Sequence, residues 1–435
     1  MKSQIEPLYS EYGRYINKFR AFPMILDGCK IVERRLLYSL YEKAKDHFTK
    51  SAEIVGHCIG NYHPHGDVSA YGSLVALVQG GLAIGQGNWG IDVGIVDCQP
   101  AAQRYTEVRS SKEVLDMAFE YIKYVKQEPL ELKDEPLFLP TKLPFCLINK
   151  NYCQGIGFGS RTVMPSYDIK DLVKRLKWLL KYEKTEPVLK PLTDCQLLSD
   201  QEELKKILTT GKGKLEYRGI IQIDKVNKCV IVKSVPPSRS LRKILEVFQK
   251  EIEVDKSIGF TDESTTKTKV RFTVTKRTYN IDNFIKKLNN NLLGSVTFEC
   301  NMCDIEGNVV LVSIDQMLLN CYGNYKKVVD NVLRSDIQQL NEKINELELI
   351  KKIKLVLPKH LKEYPDDANK VIELVSIDTG ILLETVKMIF DKYTLMKILK
   401  NKADTDQLKS EKDIIQGNLN NLEKYVWDNK YQKLL

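Results

Sequence analysis

No run of eighteen apolar residues occurs in the 435-residue chain, and its first fifteen residues, MKSQIEPLYSEYGRY, carry no apolar stretch behind their charges. Neither a membrane span nor a secretory signal is expected, and the chain reads as soluble and cytoplasmic. Cysteine pairing is also lacking. Ten cysteines are scattered with one close pair, Cys300 and Cys303, and only Cys321 nearby. A disulfide framework would be denser and a zinc site would need a second ligand pair, so buried thiols at a strand turn are the expectation. Histidine is sparse, with five residues, two of them in one short segment. A large charge excess is missing as well, at +9 overall, but its distribution is uneven. Residues 1–140 sum to −2, residues 141–300 to +12 and residues 301–435 to −1. The middle third alone has the charge of a module that faces a polyanion, although an even scatter over its surface would give the same count.

What is present is ordinary globular composition, 43% hydrophobic and 28% charged, which excludes wholesale disorder and collagen-like structure. The length suits two to four domains. A turn over Pro23–Gly28 leads into helical spacing through IVERRLLYSLYEKA. Between 52 and 105 glycine and proline crowd in, leaving one short helix near 67–79, then loops and short strands. SKEVLDMAFEYIKYV predicts a helix closing this region near residue 126. The next part reads as α+β: helices in LVKRLKWLLKY and EELKKILTT, then alternating strands in GKGKLEYRGIIQI and NKCVIVKSVPP joined around Asp224 to Asn227. A helix in SLRKILEVFQKEIE, a strand in KVRFTVT, a helix in NIDNFIKKLNNNLL and strands through GNVVLVSI follow. Beyond 330, Leu333, Ile337, Leu340, Ile344 and Leu347 form a heptad seam that Pro358 is expected to stop. Ile415, Leu419, Leu422 and Val426 form a second seam, in a helix expected to run to the end of the sequence. Two such helices around a compact helical stretch suggest an antiparallel arm with a globule at its tip, two ordinary core helices being the alternative.

Gly85-Gln86-Gly87-Asn88-Trp89-Gly90 spells a dinucleotide fingerprint, with Glu107 about where a ribose-binding acid would stand. It needs a strand before it and a helix after it. Only three apolar residues precede it, and IDVGIVDCQP follows, ending in a proline, so a nicotinamide-dependent enzyme is disfavoured. In Tyr62-His63-Pro64-His65-Gly66-Asp67, Pro64 excludes a continuous helix through both imidazoles, and Asp67 can cap the helix that follows or accept a hydrogen bond. The pair could meet a phosphate or a metal, or be a satisfied structural turn. Arg104 precedes Tyr105. A tyrosine is a poor nucleophile unless cations stabilise the phenolate and the transition state, which Arg104, His65 and Arg34 could supply if folding gathers them. Taken alone, a tyrosine beside an arginine is ordinary packing.

Together, LDGCKIVERRLLY (26–38), YHPHGD (62–67), QGNWG (86–90) and AAQRYTE (101–107) resemble, in order and spacing, the breakage-reunion core of type IIA DNA topoisomerases, above all the A subunits of gyrase and topoisomerase IV. GIGFG (155–159), TGKGK (210–214) and LLETVKMIFDKYTLMKILK (382–400) extend the likeness over nearly the whole chain. The resemblance implies an α+β multidomain fold. Residues 1–145 would be a winged-helix DNA-gate domain, 146–330 an α/β tower, and 331–435 an antiparallel coiled-coil arm with a helical exit-gate dimerisation tip. It implies that Tyr105 attacks a DNA phosphodiester to give a 5′-phosphotyrosine link. Arg104 and Arg34 would stabilise the scissile phosphate, and His63 and His65 would position or help protonate the reacting groups. Ile156 would be an intercalating wedge, with Lys30, Arg35, Gln86 and Asn88 as further DNA contacts. A homodimer is implied, one tyrosine for each strand.

No Toprim-type acidic cluster and no ATPase signature are seen, so Mg²⁺ and ATP are expected on a partner protein, giving a heterotetramer on double-stranded DNA. Its place would be a bacterial cytoplasm or, if the chain is of phage or viral origin, the host cell. The β-pinwheel of gyrase A subunits is not found, which makes relaxation and decatenation the expected outcome in place of negative supercoiling. A catalytically silent DNA-binding protein on the same fold is the alternative. Some positions depart from the family pattern: Ile31 replaces a proline, Leu26 an arginine, and the 164–166 segment reads MPS. Val68 and Gly72 stand where bacterial enzymes carry a serine and an acidic residue that anchor quinolones. Weak quinolone sensitivity is expected; cleavage-complex poisoning at concentrations typical of bacterial gyrase would refute it.

Overall fold

The computed structural model of the chain describes residues 2–90, 98–129, 133–224, 226–265, 267–276, 278–401 and 405–435. Helices and antiparallel sheets are mixed in an α+β arrangement, and residues group into two units, 1–325 with 431–435, and 326–430. Among the described residues no helix is long and apolar enough to cross a membrane.

In the first unit, α1 (Lys2–Ile16) precedes the expected turn, where Gly28 adopts φ +74° and donates its N–H to the Met24 carbonyl at 2.8 Å. α2 (Ile31–Lys43) follows, its start fixed by the Lys30 N–H donating to Glu33 Oε2 at 2.9 Å. β1 (Thr49–Lys50) runs directly into α3 (Ser51–Asn61), and α4 (Asp67–Gln79) follows the histidine turn. Leu36 and Leu40 of α2, Ile54 and Cys58 of α3, and Leu74 and Leu77 of α4 are buried among the three helices. β2 (Ala83–Gln86) and β3 (Glu107–Ser110) then complete a small antiparallel sheet in the order β1-β3-β2. The helix expected over SKEVLDMAFEYIKYV is shorter than its sequence suggests. It spans Lys112–Ala118, and a single turn, Ile122–Tyr124, follows with Phe119 and Ile122 turned into the core.

Two larger antiparallel sheets follow. A five-stranded sheet has the order 153–156, 161–164, 293–299, 212–218, 196–197, and a four-stranded sheet the order 221–224, 229–232, 270–274, 258–262. The run GKGKLEYRGIIQI, expected as one strand, is divided between them. Gly219 breaks it by donating its N–H to the Leu292 carbonyl at 2.9 Å, and a β-carbon there would collide with the Ser234 carbonyl. The turn at Asp224 to Asn227 falls as expected, with the Asn227 N–H on Asp224 Oδ1 at 3.0 Å. Helices 241–247 and 281–291 cover one face of the four-stranded sheet, burying Val230, Val232, Phe248, Phe272, Phe284 and Leu288 together. All ten cysteines are free thiols, and Cys300 and Cys303 are buried beside the strand pair 301–303 and 309–311.

The first heptad seam lies on a 50-residue helix, Ile314–Glu363, which begins earlier than expected and continues through Pro358. Proline there removes one backbone donor, five residues before the helix ends, while Ile350, Ile353 and Leu357 are locked in an apolar core with Val371, Val375, Val386 and Ile389. The returning helix, Thr405–Asn420, is marked by a turn at Asn421, resumes as Leu422–Val426, and is followed by a π turn, Trp427–Tyr431, and a 3₁₀ turn, Gln432–Leu434. Ion pairs join the two long helices within this unit. Lys409 meets Glu348 at 2.7 Å and Lys326 meets Glu423 at 3.7 Å.

Gly211 ends helix 201–210 at φ +74°, and a β-carbon there would run into the Val312 carbonyl. Gly211→Ala should therefore lower stability by about 1–3 kcal/mol, the usual cost of a left-handed non-glycine residue, with a steric clash in addition. Urea unfolding followed by circular dichroism would measure it, and an unchanged midpoint would contradict the assignment.

Candidate active site

Register brings the separated motifs together. Gln86 pairs with Glu107 across β2 and β3, and Lys50 pairs with Glu107 across β1 and β3, so the segments beginning at 51, following 86 and preceding 107 all meet at one end of the small sheet. The loop 101–106 is held there from several sides. Tyr71 Oη donates to the Ala101 carbonyl at 2.6 Å, and the Ala52 N–H to the Gln103 carbonyl at 3.2 Å. Thr106, fully buried, has its Oγ1 within hydrogen-bond distance of both Ser51 Oγ, at 2.8 Å, and Tyr71 Oη, at 2.9 Å. Gln103 Nε2 donates to Asp67 Oδ2 at 2.8 Å. Asp67 is the first residue of α4 and not its cap; Gly66 occupies that position, so of the two expected roles the acceptor role is the one found.

On this braced loop Tyr105 remains 65% exposed. The Arg104 guanidinium lies over its ring, 4.7 Å from the centroid, and is itself exposed. A positive charge against the phenol, open to solvent, is where a phosphate and a developing phenolate could both be met. The QGNWG segment supports the same loop through its backbone. The Asn88 carbonyl accepts the Ala101 N–H at 2.9 Å, the Gln86 carbonyl accepts Trp89 Nε1–H at 3.1 Å, and Asn88 Oδ1 accepts the Gly90 N–H at 2.9 Å. Gly87, at φ +101°, lies close to the Tyr105 backbone. Through Gly90 the fingerprint opens no helix; residues 91–97 lie outside the described residues. Glu107 is paired with Lys50 at 2.7 Å. Gln86 and Asn88 keep exposed side chains.

The histidines differ in setting. His65 is exposed; His63 is buried, with the rings edge-to-face at 4.4 Å between centroids. His63 Nδ1 lies 3.1 Å from Nη1 of Arg35. Burial first, then the positive charge of Arg35 and the neighbouring His65, push the His63 pKa down to about 4. His63 is therefore neutral at physiological pH.

Both arginines of α2 are buried and point inward. Arg34 forms a two-point ion pair with Asp27, Nε to Oδ2 at 2.7 Å and Nη2 to Oδ1 at 3.2 Å, and neither residue is more than 4% exposed. The Asp27 carboxylate also accepts the N–H groups of Cys29 and Leu139, so releasing Arg34 would strand a buried charge. Arg35 forms the same kind of pair with Glu135, at 2.8 Å for each bond, and both are buried. Lys30 donates from Nζ to the Gln154 carbonyl at 2.6 Å. That carbonyl belongs to the hairpin 153–156/161–164, at whose tip Ile156 is 88% exposed. Asn17 braces the tip with two hydrogen bonds, Oδ1 accepting the Phe158 N–H at 2.6 Å and Nδ2 donating to the Phe158 carbonyl at 3.3 Å.

Asp27, Glu135, Asn17, Ser51, Tyr71 and Gln103 were not among the candidates read from the sequence. Asp27, in the LDG stretch, and Gln103, beside Arg104, lay inside quoted motifs and could have been found. Glu135 sits in an unremarkable charged segment and had no signal. Among the described residues, no group of three or more His, Cys, Asp or Glu stands close enough to hold a metal ion.

An exposed tyrosine under an arginine, on a loop braced by the helix that follows a histidine turn, is the setting in which the four sequence motifs meet. The chain belongs to the DNA gyrase/topoisomerase IV A-subunit family, whose sequence model matches residues 20–434. It is 29% identical over 301 residues to the A subunit of DNA gyrase from Brachyspira hyodysenteriae, covering 63% of this chain and 35% of the relative. It is 33% identical over 276 residues to the A subunit of DNA topoisomerase 4 from Neisseria gonorrhoeae, covering 57% and 34%. Over 447 residues it is 26% identical to the corresponding topoisomerase 4 protein of Salmonella typhimurium, covering 95% and 58%. The chain thus spans about a third to three-fifths of the length of these relatives.

The two arginine settings predict opposite mutational behaviour. Arg34→Ala leaves Asp27 buried and unpaired and should cost about 3–5 kcal/mol of stability. Arg104→Ala, on an exposed loop, should stay within about 0.5 kcal/mol. Equilibrium unfolding of both variants checks this, and equal losses would overturn the distinction.

Proposed function

We propose that the chain is the DNA-cleaving and rejoining component of a type IIA topoisomerase. The observation that carries this is Tyr105, exposed on a loop fixed at both ends, with the Arg104 guanidinium against its ring. In the reaction assigned to it, the Tyr105 oxygen bonds to a DNA phosphorus as the bond from phosphorus to the 3′ oxygen breaks. The phenol loses its proton, the 3′ oxygen gains one, and a 5′-phosphotyrosine remains. The phosphodiester bond energy is kept in the link, so rejoining is the same step reversed. Arg104 stabilises charge on the phosphate oxygens. His63 and His65 position and protonate the reacting groups, and Gln86 and Asn88 meet the DNA beside them. Arg34 supports this site indirectly through Asp27, a role its burial favours over direct phosphate contact.

We assign the gate to residues 1–145, with a winged-helix role for α3, α4 and the small sheet. Residues 146–330 form the tower that carries the DNA arms, and 331–435 the coiled-coil arm and exit-gate tip. Ile156 suits a wedge because an apolar side chain stands almost fully exposed at the end of a braced hairpin. The +12 of residues 141–300 suits a phosphate-neutralising surface, whose binding falls steeply with salt. Two copies of the chain would cut the two strands, joined by a Toprim- and ATPase-bearing partner in a cytoplasmic heterotetramer. Mg²⁺ and ATP belong to that partner in this reading. Strand passage is proposed to relax and decatenate DNA.

The test mixes the chain with its Toprim-bearing partner, Mg²⁺, ATP and plasmid, and traps intermediates with detergent. Covalent protein–DNA adducts and loss of plasmid supercoils are expected with the natural chain, and no adducts with Tyr105→Phe. Adducts persisting in that variant would remove Tyr105 as nucleophile. DNA binding without adducts from the natural chain would instead favour an architectural protein on the same fold.

A further inference from the structure

On the reading just given, His63 and His65 share the handling of charge and protons at the scissile phosphate. Their surroundings do not let them share it equally. Arginine carries five N–H donors and no acceptor. With Arg35 Nη1 at 3.1 Å, His63 Nδ1 must therefore present its lone pair, and the single ring proton sits on Nε2. Among the described residues Nε2 has no hydrogen-bond partner of its own. Arg35 cannot drift from this position, because its Nε and Nη2 are both held at 2.8 Å by the two oxygens of Glu135. A planar fork on a carboxylate has one favoured orientation, and that orientation turns Nη1 toward the histidine.

We propose that Glu135 and Arg35 are positioning residues that lock His63 as its neutral, Nε2-protonated form, making it a fixed hydrogen-bond donor to the substrate phosphate and leaving His65 as the imidazole that exchanges protons. The inference rests on the function proposed above. The groups that face the His63 ring agree with it. Arg35 on α2 carries the charge, balanced by Glu135 from strand 135–136. Cys58 on α3, beside the same arginine, has its thiol pushed up to about 12 by burial and stays uncharged. His65 on the same turn adds only to the resistance against protonating His63.

The experiment uses the reconstituted enzyme and follows the rate of covalent adduct formation between pH 5 and 8. Glu135→Gln leaves Arg35 buried without its counter-charge, so the guanidinium swings out and frees His63 Nδ1. Adduct formation should slow by about ten- to a hundredfold, as for loss of an orienting partner behind a functional histidine. A new fall in rate should also appear below about pH 6.5, the ordinary histidine pKa, as His63 begins to titrate. Glu135→Asp, which keeps the carboxylate, should recover part of the rate. A second pair of variants does not depend on the folding of the first. His63→Gln can still donate from its amide near the Nε2 position, so it should lose at least about tenfold less than His63→Ala, which cannot donate. Equal losses in His63→Gln and His63→Ala, or an unchanged pH profile in a Glu135→Gln enzyme that still binds DNA, would overturn the proposal. Absence of adducts from the natural enzyme would instead remove the functional reading beneath it.

Discussion

The buried pair of Asp27 and Arg34 is the contact on which the placing of α2 against the later chain depends. Asp27 is wholly enclosed, and its carboxylate is satisfied by one guanidinium and two backbone N–H groups, those of Cys29 and Leu139. Its own carbonyl accepts the Phe145 N–H at 3.0 Å. One side chain and its peptide thus bind the turn before α2 to chain more than a hundred residues later. Breaking such a pair from one side typically costs about 3–5 kcal/mol, a large part of a domain's stability. Because Arg34 is held, its neighbour Arg35 is placed to reach Glu135 and His63, and the histidine turn is placed relative to the tyrosine loop. The arginines of α2 are therefore enclosed in the framework, whereas Arg104 is exposed.

Much of the fold was legible because local signals agreed. The Pro23–Gly28 turn, the helix at 67–79 and the strands at 229–232 and 270–274 each combined the right periodicity with the right punctuation. The failures share a cause: tertiary contacts overrode local pattern. Alternation continued through Gly219, yet a backbone bond to Leu292 diverts the chain into a second sheet. Pro358 was read as a stop, yet an apolar core on both sides of it carries the helix onward. In the candidate site, the four quoted motifs do meet in space, through the small sheet and the contacts of the histidine turn. Which arginines face outward was not legible. Arg34, Arg35 and Arg104 look alike in sequence, and only the carboxylates of Asp27 and Glu135, one of them a hundred residues away, tell them apart.

The charge of the middle third also gains meaning from its surroundings. Glu186, Glu251, Glu263 and Glu299 each hold a lysine or arginine at 2.6–3.1 Å. Apart from Arg175, whose side chain is buried, these are partly exposed pairs that add little stability, about 0–1 kcal/mol each. Their effect is on the field. Even if every carboxylate of residues 141–300 were matched to one cation, a surplus of 12 would remain across two sheets and their helices. The surplus is spread over the whole segment, whereas the tyrosine loop sets one guanidinium against the Tyr105 ring.

Helix α2 has one further consequence. At its start Lys30 holds the carbonyl of Gln154 in the hairpin that carries Ile156, and five residues on, Arg35 holds His63. Five residues of α-helix advance about 7.5 Å, and a helix does not stretch. If Ile156 kinks DNA and His63 stands by the cut, α2 acts as a ruler between them. The interval between bend and break would then be a property of the protein, the same on every sequence it binds, and the choice of site would reduce to which DNA can bend at that interval.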